Sequence, residues 1–203
     1  MNVIIDYGMG NLGSVKNMIK KVGSSAIISS DPRDIMQSQK LILPGVGSFD
    51  QGMINLKQRD LLEVINQRVL VEKIPILGIC LGFQLLSKSS EEGKLPGLGW
   101  IEADTKKFDF DINSNFKIPH MGWNEVHFKN ASSIFRNWQD EARFYFVHSY
   151  HVVCHNPHII SSVSSHGYEF VSSIQNNNIY GVQFHPEKSH KYGMMLLKNF
   201  LCT

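Results

Sequence analysis

An α/β fold with a mostly parallel central sheet follows from three features of the sequence. Short apolar runs alternate with helical patterns through the first half, which implies parallel strands joined by right-handed crossovers. The second half changes to strand-like segments separated by short turns. No repeat, low-complexity tract or Ser/Gly-rich linker divides the 203 residues, so 1–203 reads as one domain with room for a substantial core.

The elements come in order. Val3-Ile4-Ile5 is the first strand, and residues 12–22 form a helix opened by Asn11 and the preceding glycines. Residues 26–28 and 40–43 are the next strands, the latter stopped by Pro44-Gly45. Residues 51–69 read as one amphipathic helix, 75–79 as the fourth strand and 81–88 as the helix after it. LPGLGW, IEADTKKF, KIPHMGW, NEVHF, RFYFVHSYHVV, HIISSVSS, FVSSIQ and IYGVQF read as mixed or antiparallel additions, and 191–200 as a closing helix.

Composition narrows the function classes. Apolar residues are 42% and charged residues 19%, the balance of a folded rather than a disordered chain. Net charge is only +2 with the charges scattered, so neither nucleic acid nor an anionic membrane is an expected partner. No apolar stretch approaches the roughly 18 residues of a membrane span. The first residues lack a basic n-region and carry Asp6, against a secretory signal, so a cytoplasmic location is expected. Cys80, Cys154 and Cys202, odd in number and unpaired in spacing, suggest no disulfide scaffold.

Gly8-Met9-Gly10-Asn11-Leu12-Gly13 fits G-x-G-x-x-G, the dinucleotide fingerprint, with Asp31 roughly where a ribose partner belongs. The competing reading is a strand-to-helix turn facing a protein. Tyr7, Met9 and Asn11 suit such a surface more than a pyrophosphate cradle, and Asp31 before Pro32 sits in an ordinary turn setting.

Chemistry concentrates in Gly78-Ile79-Cys80-Leu81-Gly82. An apolar strand runs into Gly-x-Cys-x-Gly and then a helix, the nucleophile-elbow pattern with Cys in place of Ser. The glycines relieve crowding at a strained turn, the helix start favours a thiolate, and the Leu81 N–H is placed for an oxyanion. A small buried hydrophobe after a strand is the plainer alternative for Cys80. Phe184-His185-Pro186-Glu187 offers a base with an acid two residues on, on the same side of an extended stretch, or else a surface turn. Pro44-Gly45-Val46-Gly47-Ser48 is a glycine-rich loop whose N–H groups could complete an oxyanion hole, or a tight turn. HSYHVVCHNPH is rich in histidine, but its spacing fits no zinc pattern, and His148 and His151 belong on opposite faces of a strand. No metal site is expected. The aromatics of RFYFVHSY alternate as core residues do.

PGVGSF, GICLGFQLL and GVQFHPEKS, in that order, resemble the class I (triad-type) glutamine amidotransferases. DYGMGNLGSV, KIPHMGWNEV and FYFVHSYH carry a narrower resemblance, to the glutaminase subunits of imidazole glycerol phosphate synthases, over essentially the whole chain. The resemblance implies a flavodoxin-like sheet flanked by helices. It implies Cys80 as nucleophile, His185 as base and then acid, and Glu187 as the residue orienting His185. It implies an oxyanion hole from the backbone of Gly45, Val46, Gly47 and Leu81. L-Glutamine would be held by Gln84 and the backbone of His148, Ser149 and Tyr150. A (β/α)₈-barrel cyclase would form the partner subunit in a heterodimer and receive the ammonia in histidine biosynthesis. That partner would contact Asn11, Pro119, His120, Met121, Gly122, Trp123, Asn124 and Lys188, and no cofactor is needed. The lone subunit would be nearly inactive, its oxyanion loop awaiting the partner.

Two stretches, 97–103 and 187–194, are similar to a sister branch that supplies ammonia for an amidino-type sugar in surface polysaccharide synthesis. Two further readings are a catalytically silent interaction subunit, disfavoured by the intact Cys80, His185 and Glu187, and a cysteine hydrolase on a similar scaffold, which leaves the HSY and PHMGW segments unexplained.

Overall fold

The computed structural model describes residues 1–111, 114–138 and 141–203. The first half alternates strand and helix, with a short helix α2 that the sequence did not predict: β1 (Asn2–Ile5), α1 (Leu12–Lys21), β2 (Ala26–Ser29), α2 (Pro32–Met36), β3 (Lys40–Gly45), α3 (Phe49–Gln58), α4 (Leu61–Asn66), β4 (Ile76–Cys80) and α5 (Leu81–Gln84). The second half adds β5 (Ser89–Ser90), β6 (Ala103–Lys107), β7 (His120–Phe128), β8 (Ala142–His148), β9 (Tyr150–Cys154), β10 (Ile160–His166), β11 (Tyr168–Asn176), β12 (Ile179–Val182) and α6 (His190–Leu201).

The main sheet has the order β2-β1-β3-β4-β12-β11-β10-β7-β8. It is parallel from β2 to β12 and antiparallel beyond. β5, β6 and β9 form a small second sheet. Strand alternation divides the core between the two faces. Val3, Ile5, Leu41 and Leu43 pack with Ile35, Phe49, Leu56 and Ile65 under α2, α3 and α4. Ile4, Ile42, Leu77 and Ile79 pack with Val15, Ile19, Leu196 and Phe200 under α1 and α6. Burying each such side chain contributes about 1.5–3 kcal/mol. No helix among the described residues is long and apolar enough to cross a membrane.

Several elements depart from expectation, each for a physical reason. The helix expected over 51–69 breaks where Asp60 takes φ 54°, a left-handed conformation that no α-helix continues through, and ends as a π-helical turn at Gln67–Val71. β3 runs through Pro44 rather than stopping there. Leu41 donates to the Pro75 carbonyl just ahead of β4, so the residues of even number face β1, whose last registered partner is Ile42; the N–H that Pro44 lacks therefore has no neighbour to serve. α5 ends at Gln84, and LPGLGW is not a strand. Residues 97–100 instead donate to the carbonyls of residues 85, 86, 87 and 88, satisfying the groups that a short helix leaves open. His120 to Trp123 of KIPHMGW and NEVHF share the single strand β7, whereas RFYFVHSYHVV divides at Ser149 into β8 and β9, which belong to different sheets.

Candidate active site

β4 ends in Cys80 at φ 54°, ψ −110°, a strained conformation for a side chain with a Cβ, and α5 departs at once. The elbow closes because Gly82 lies against β3: a Cβ there would stand 1.7 Å from the Leu43 carbonyl oxygen. β12 is the parallel neighbour of β4, with Val182 opposite Ile79, so both strands deliver their next residues to the same sheet edge. The chain leaving β12 reaches His185, whose N–H donates to the Tyr145 carbonyl at 2.8 Å and whose carbonyl accepts from Ser189 Oγ at 2.6 Å.

Glu187 Oε1 accepts from His185 Nδ1 at 2.7 Å, with the two side chains 4% and 1% exposed. They meet through a 3₁₀ turn at Pro186–Lys188, not through the extended stretch expected from sequence. Burial pushes the His185 imidazole down, but the negative charge of a Cys80 thiolate and then Glu187 more than offset this and hold it at about 10, so it carries a proton at neutral pH. His185 Nε2 is buried without a hydrogen-bond partner among the described residues.

Cys80 floors a cavity of about 310 Å³. Val46, Gly47, Leu81, Gln84, His148, Ser149 and Tyr150 line it, seven of the residues the sequence singles out for the oxyanion hole and glutamine. Gly45 stands behind the lining, where a Cβ would come within 2.8 Å of Leu81 Cβ. Gln84 Nε2 donates to the Tyr150 carbonyl at 3.0 Å and to Gln183 Oε1 at 3.2 Å. Sequence reasoning missed Gln183, which is fully buried and donates to Cys80 Sγ at 3.8 Å; its inward place on β12's extension was the available signal. It also missed Glu92 in the lining, whose carboxyl accepts from Phe49 N–H at 2.8 Å and is raised by burial.

The residues expected at a partner surface divide. Met121 and Trp123 are 62% and 43% exposed, and Asn11, Pro119 and Lys188 are also exposed. Gly122 and Asn124 are half-buried. His120 is a correction: it is buried, because alternation along β7 turns it inward when Met121 turns out. Tyr7 is another, read as a surface residue but fully buried. The fingerprint glycines make the expected turn, packed so that a Cβ on Gly10 would stand 3.1 Å from the Pro44 backbone, and Asn11 caps α1 by accepting from Ser14 N–H at 3.2 Å. Asp31 likewise caps α2, accepting from Arg33 N–H at 2.8 Å. His148 and His151 do not diverge across one strand; they sit on separate strands and both pack on Phe108.

The chain matches the family described as glutamine amidotransferase class-I over residues 3–203. It is 56% identical over 201 residues to the imidazole glycerol phosphate synthase subunit HisH 2 of Methanococcus maripaludis, covering 99% of this chain and 98% of that one. The protein of the same name from Pseudomonas aeruginosa is 47% identical over 201 residues, with the same 99% and 98% coverage. The solved structure of PurLQS from Thermotoga maritima superposes with a TM-score of 0.75 over 99% of this chain and 97% of that one, at 17% identity, a likeness of fold.

Proposed function

Because the chain belongs to the class I glutamine amidotransferase family, we propose that residues 1–203 are one glutaminase unit, the ammonia-producing subunit of an imidazole glycerol phosphate synthase. The observation that carries this reading is the buried Glu187–His185 pair beside a strained Cys80, on the floor of a cavity sized for one amino acid.

The chemistry follows from the geometry. His185 takes the Cys80 proton and keeps it, stabilised by Glu187. Cys80 Sγ attacks the side-chain amide carbon of glutamine, and the carbonyl electrons move onto oxygen. The backbone of Gly45, Val46, Gly47 and Leu81 receives that oxyanion. His185 protonates the amide nitrogen, the C–N bond breaks, ammonia leaves and a glutamyl thioester remains. A water, deprotonated by His185, adds to the thioester; the C–S bond breaks, glutamate leaves and the thiol is restored. Gln84 and the backbone of His148, Ser149 and Tyr150 hold the substrate, and Glu92 suits its α-ammonium group. The face with Asn11, Pro119, Met121, Trp123 and Lys188 receives a (β/α)₈-barrel cyclase, into which the ammonia passes.

Glutamate release is the test, with the chain alone and mixed with the cyclase from its own genome, with and without the histidine-pathway ribotide. Release that the loaded cyclase switches on and Cys80→Ala abolishes supports the reading. A second reading, the polysaccharide branch, is favoured by residues 97–103 and 187–194. A silent mixture in which Cys80 still takes a glutamine analogue replaces the first reading with the second.

A further inference from the structure

A polar chain crosses the core between β7 and the cavity, and its β7 end, His120 and Asn124, has no part in the chemistry proposed above. Asn124 Nδ2 lies 3.1 Å from His120 Nε2, His120 Nδ1 lies 2.9 Å from His148 Nε2, and His148 Nδ1 lies 2.8 Å from the Tyr150 carbonyl oxygen. That same oxygen accepts from Gln84 Nε2, which also reaches Gln183, which in turn reaches Cys80 Sγ.

The hydrogen positions are dictated from one end. A carbonyl only accepts, so His148 Nδ1 carries the hydrogen. Burial pushes both rings below the ordinary histidine range, His120 to about 4, so each is neutral and holds one hydrogen. His148 Nε2 therefore accepts, His120 Nδ1 donates, and His120 Nε2 accepts from Asn124. The Asn124 amide cannot turn over without loss, because Oδ1 accepts from Glu125 N–H at 2.8 Å and Nδ2 also donates to the Ser165 carbonyl at 2.8 Å. Aromatic neighbours hold the rings: His166 stacks on His120 at 4.3 Å, Phe146 lies 5.0 Å from it, and Phe108 lies 5.2 Å from His148.

We infer that His120 and Asn124 are positioning residues of the glutaminase site: the chain Asn124–His120–His148 pins the Tyr150 carbonyl and, through that shared acceptor, the Gln84 amide, so that β7 sets the wall that grips glutamine. The inference rests on the proposed glutaminase activity. It gives β7 two duties, since Met121 and Trp123 face outward from the strand whose His120 and Asn124 face the site.

The test compares two alkylation rates of Cys80 in the full chain, one with a diazoketone analogue of glutamine, which must occupy the pocket, and one with iodoacetamide, which need not. His120→Phe keeps the ring volume and removes both hydrogen bonds. Its analogue rate is expected to fall at least about ten-fold, the effect of one buried hydrogen bond, with the iodoacetamide rate unchanged. His120→Asn, which places a donor where Nδ1 stood, is expected to recover most of the analogue rate. The inference is overturned if His120→Phe keeps the analogue rate, if both rates fall together, or if His120→Asn does no better than His120→Phe. Should His120→Phe fail to fold, Asn124→Leu at the partly exposed end carries the test, and a wild-type analogue rate there overturns the inference equally. A wild-type chain that takes iodoacetamide but not the analogue, even with the cyclase and ribotide present, overturns the glutaminase reading itself.

Discussion

Adding one methyl group at Gly82 tests the elbow directly. The new Cβ would lie 1.7 Å from the Leu43 carbonyl oxygen and 2.8 Å from its carbon, both backbone atoms of a central strand. Ordinary contact begins near 3.4 Å, so α5 must retreat by about 1.7 Å or β3 must bend. Overpacking of this kind costs about 1–3 kcal/mol, and the rigid neighbour places Gly82→Ala at the upper end. At this chain length that corresponds to a Tm lower by roughly 6–12 °C. The retreat also carries Cys80 from its place beside His185, and a misplacement near 1 Å costs about a hundred-fold in rate. Gly13→Ala is the matched control. Gly13 lies within α1 and a Cβ there meets nothing within 4 Å, so alanine should stabilise by about 0.5–1 kcal/mol through helix propensity and a stiffer unfolded chain. Thermal unfolding gives the first comparison and alkylation of Cys80 by the glutamine analogue the second. A Gly82→Ala protein with wild-type Tm and wild-type alkylation would refute the close-packed elbow.

Three further outcomes are expected. Glu187→Gln keeps an acceptor for His185 Nδ1 but removes the charge that favours imidazolium, so glutamate release should fall roughly ten- to a hundred-fold, with Cys80→Ala as the zero. His185 is held at about 10 against an ordinary 6.5, so its contribution to stability is complete below pH 6.5 and is lost as pH rises through 10; urea midpoints at those two pH values should diverge more for wild type than for Glu187→Gln. Asp31→Ala removes the α2 cap and should cost about 1 kcal/mol in unfolding experiments, leaving glutamate release unchanged.

The parallel half and the strained turn at Cys80 were readable because each rests on local pattern. Apolar runs set the strands, and Gly-x-Cys-x-Gly between a strand and a helix pointed to a tight elbow while leaving a small buried hydrophobe as the alternative. Residues whose role depends on a partner distant in sequence were not readable in this way. Gln183 looks like any polar residue in a strand until β12 is placed beside β4, and His120 and His148 become a pair only when β7 and β8 lie in register. The break at Asp60 was hidden for another reason: the apolar spacing continues across it, while the backbone turns left-handed. Asp31 shows the converse, a residue whose real use as a helix cap matched a motif it does not serve.

The position of β12 has a consequence for how the protein comes to exist during synthesis. It is the last strand to emerge, yet it occupies a central slot between β4 and β11. Until it arrives, β4 and β11 each present an unpaired edge, a state prone to pairing with other chains. Cys80 is made 105 residues before His185, the difference between positions 80 and 185, so bringing the two together is among the most non-local steps in the molecule and belongs to the slow end of folding. A nascent chain therefore carries Cys80 without His185 for about half of its translation. Under the proposed mechanism, glutamine hydrolysis begins only when the central slot is filled, which couples the onset of activity to completion of the sheet.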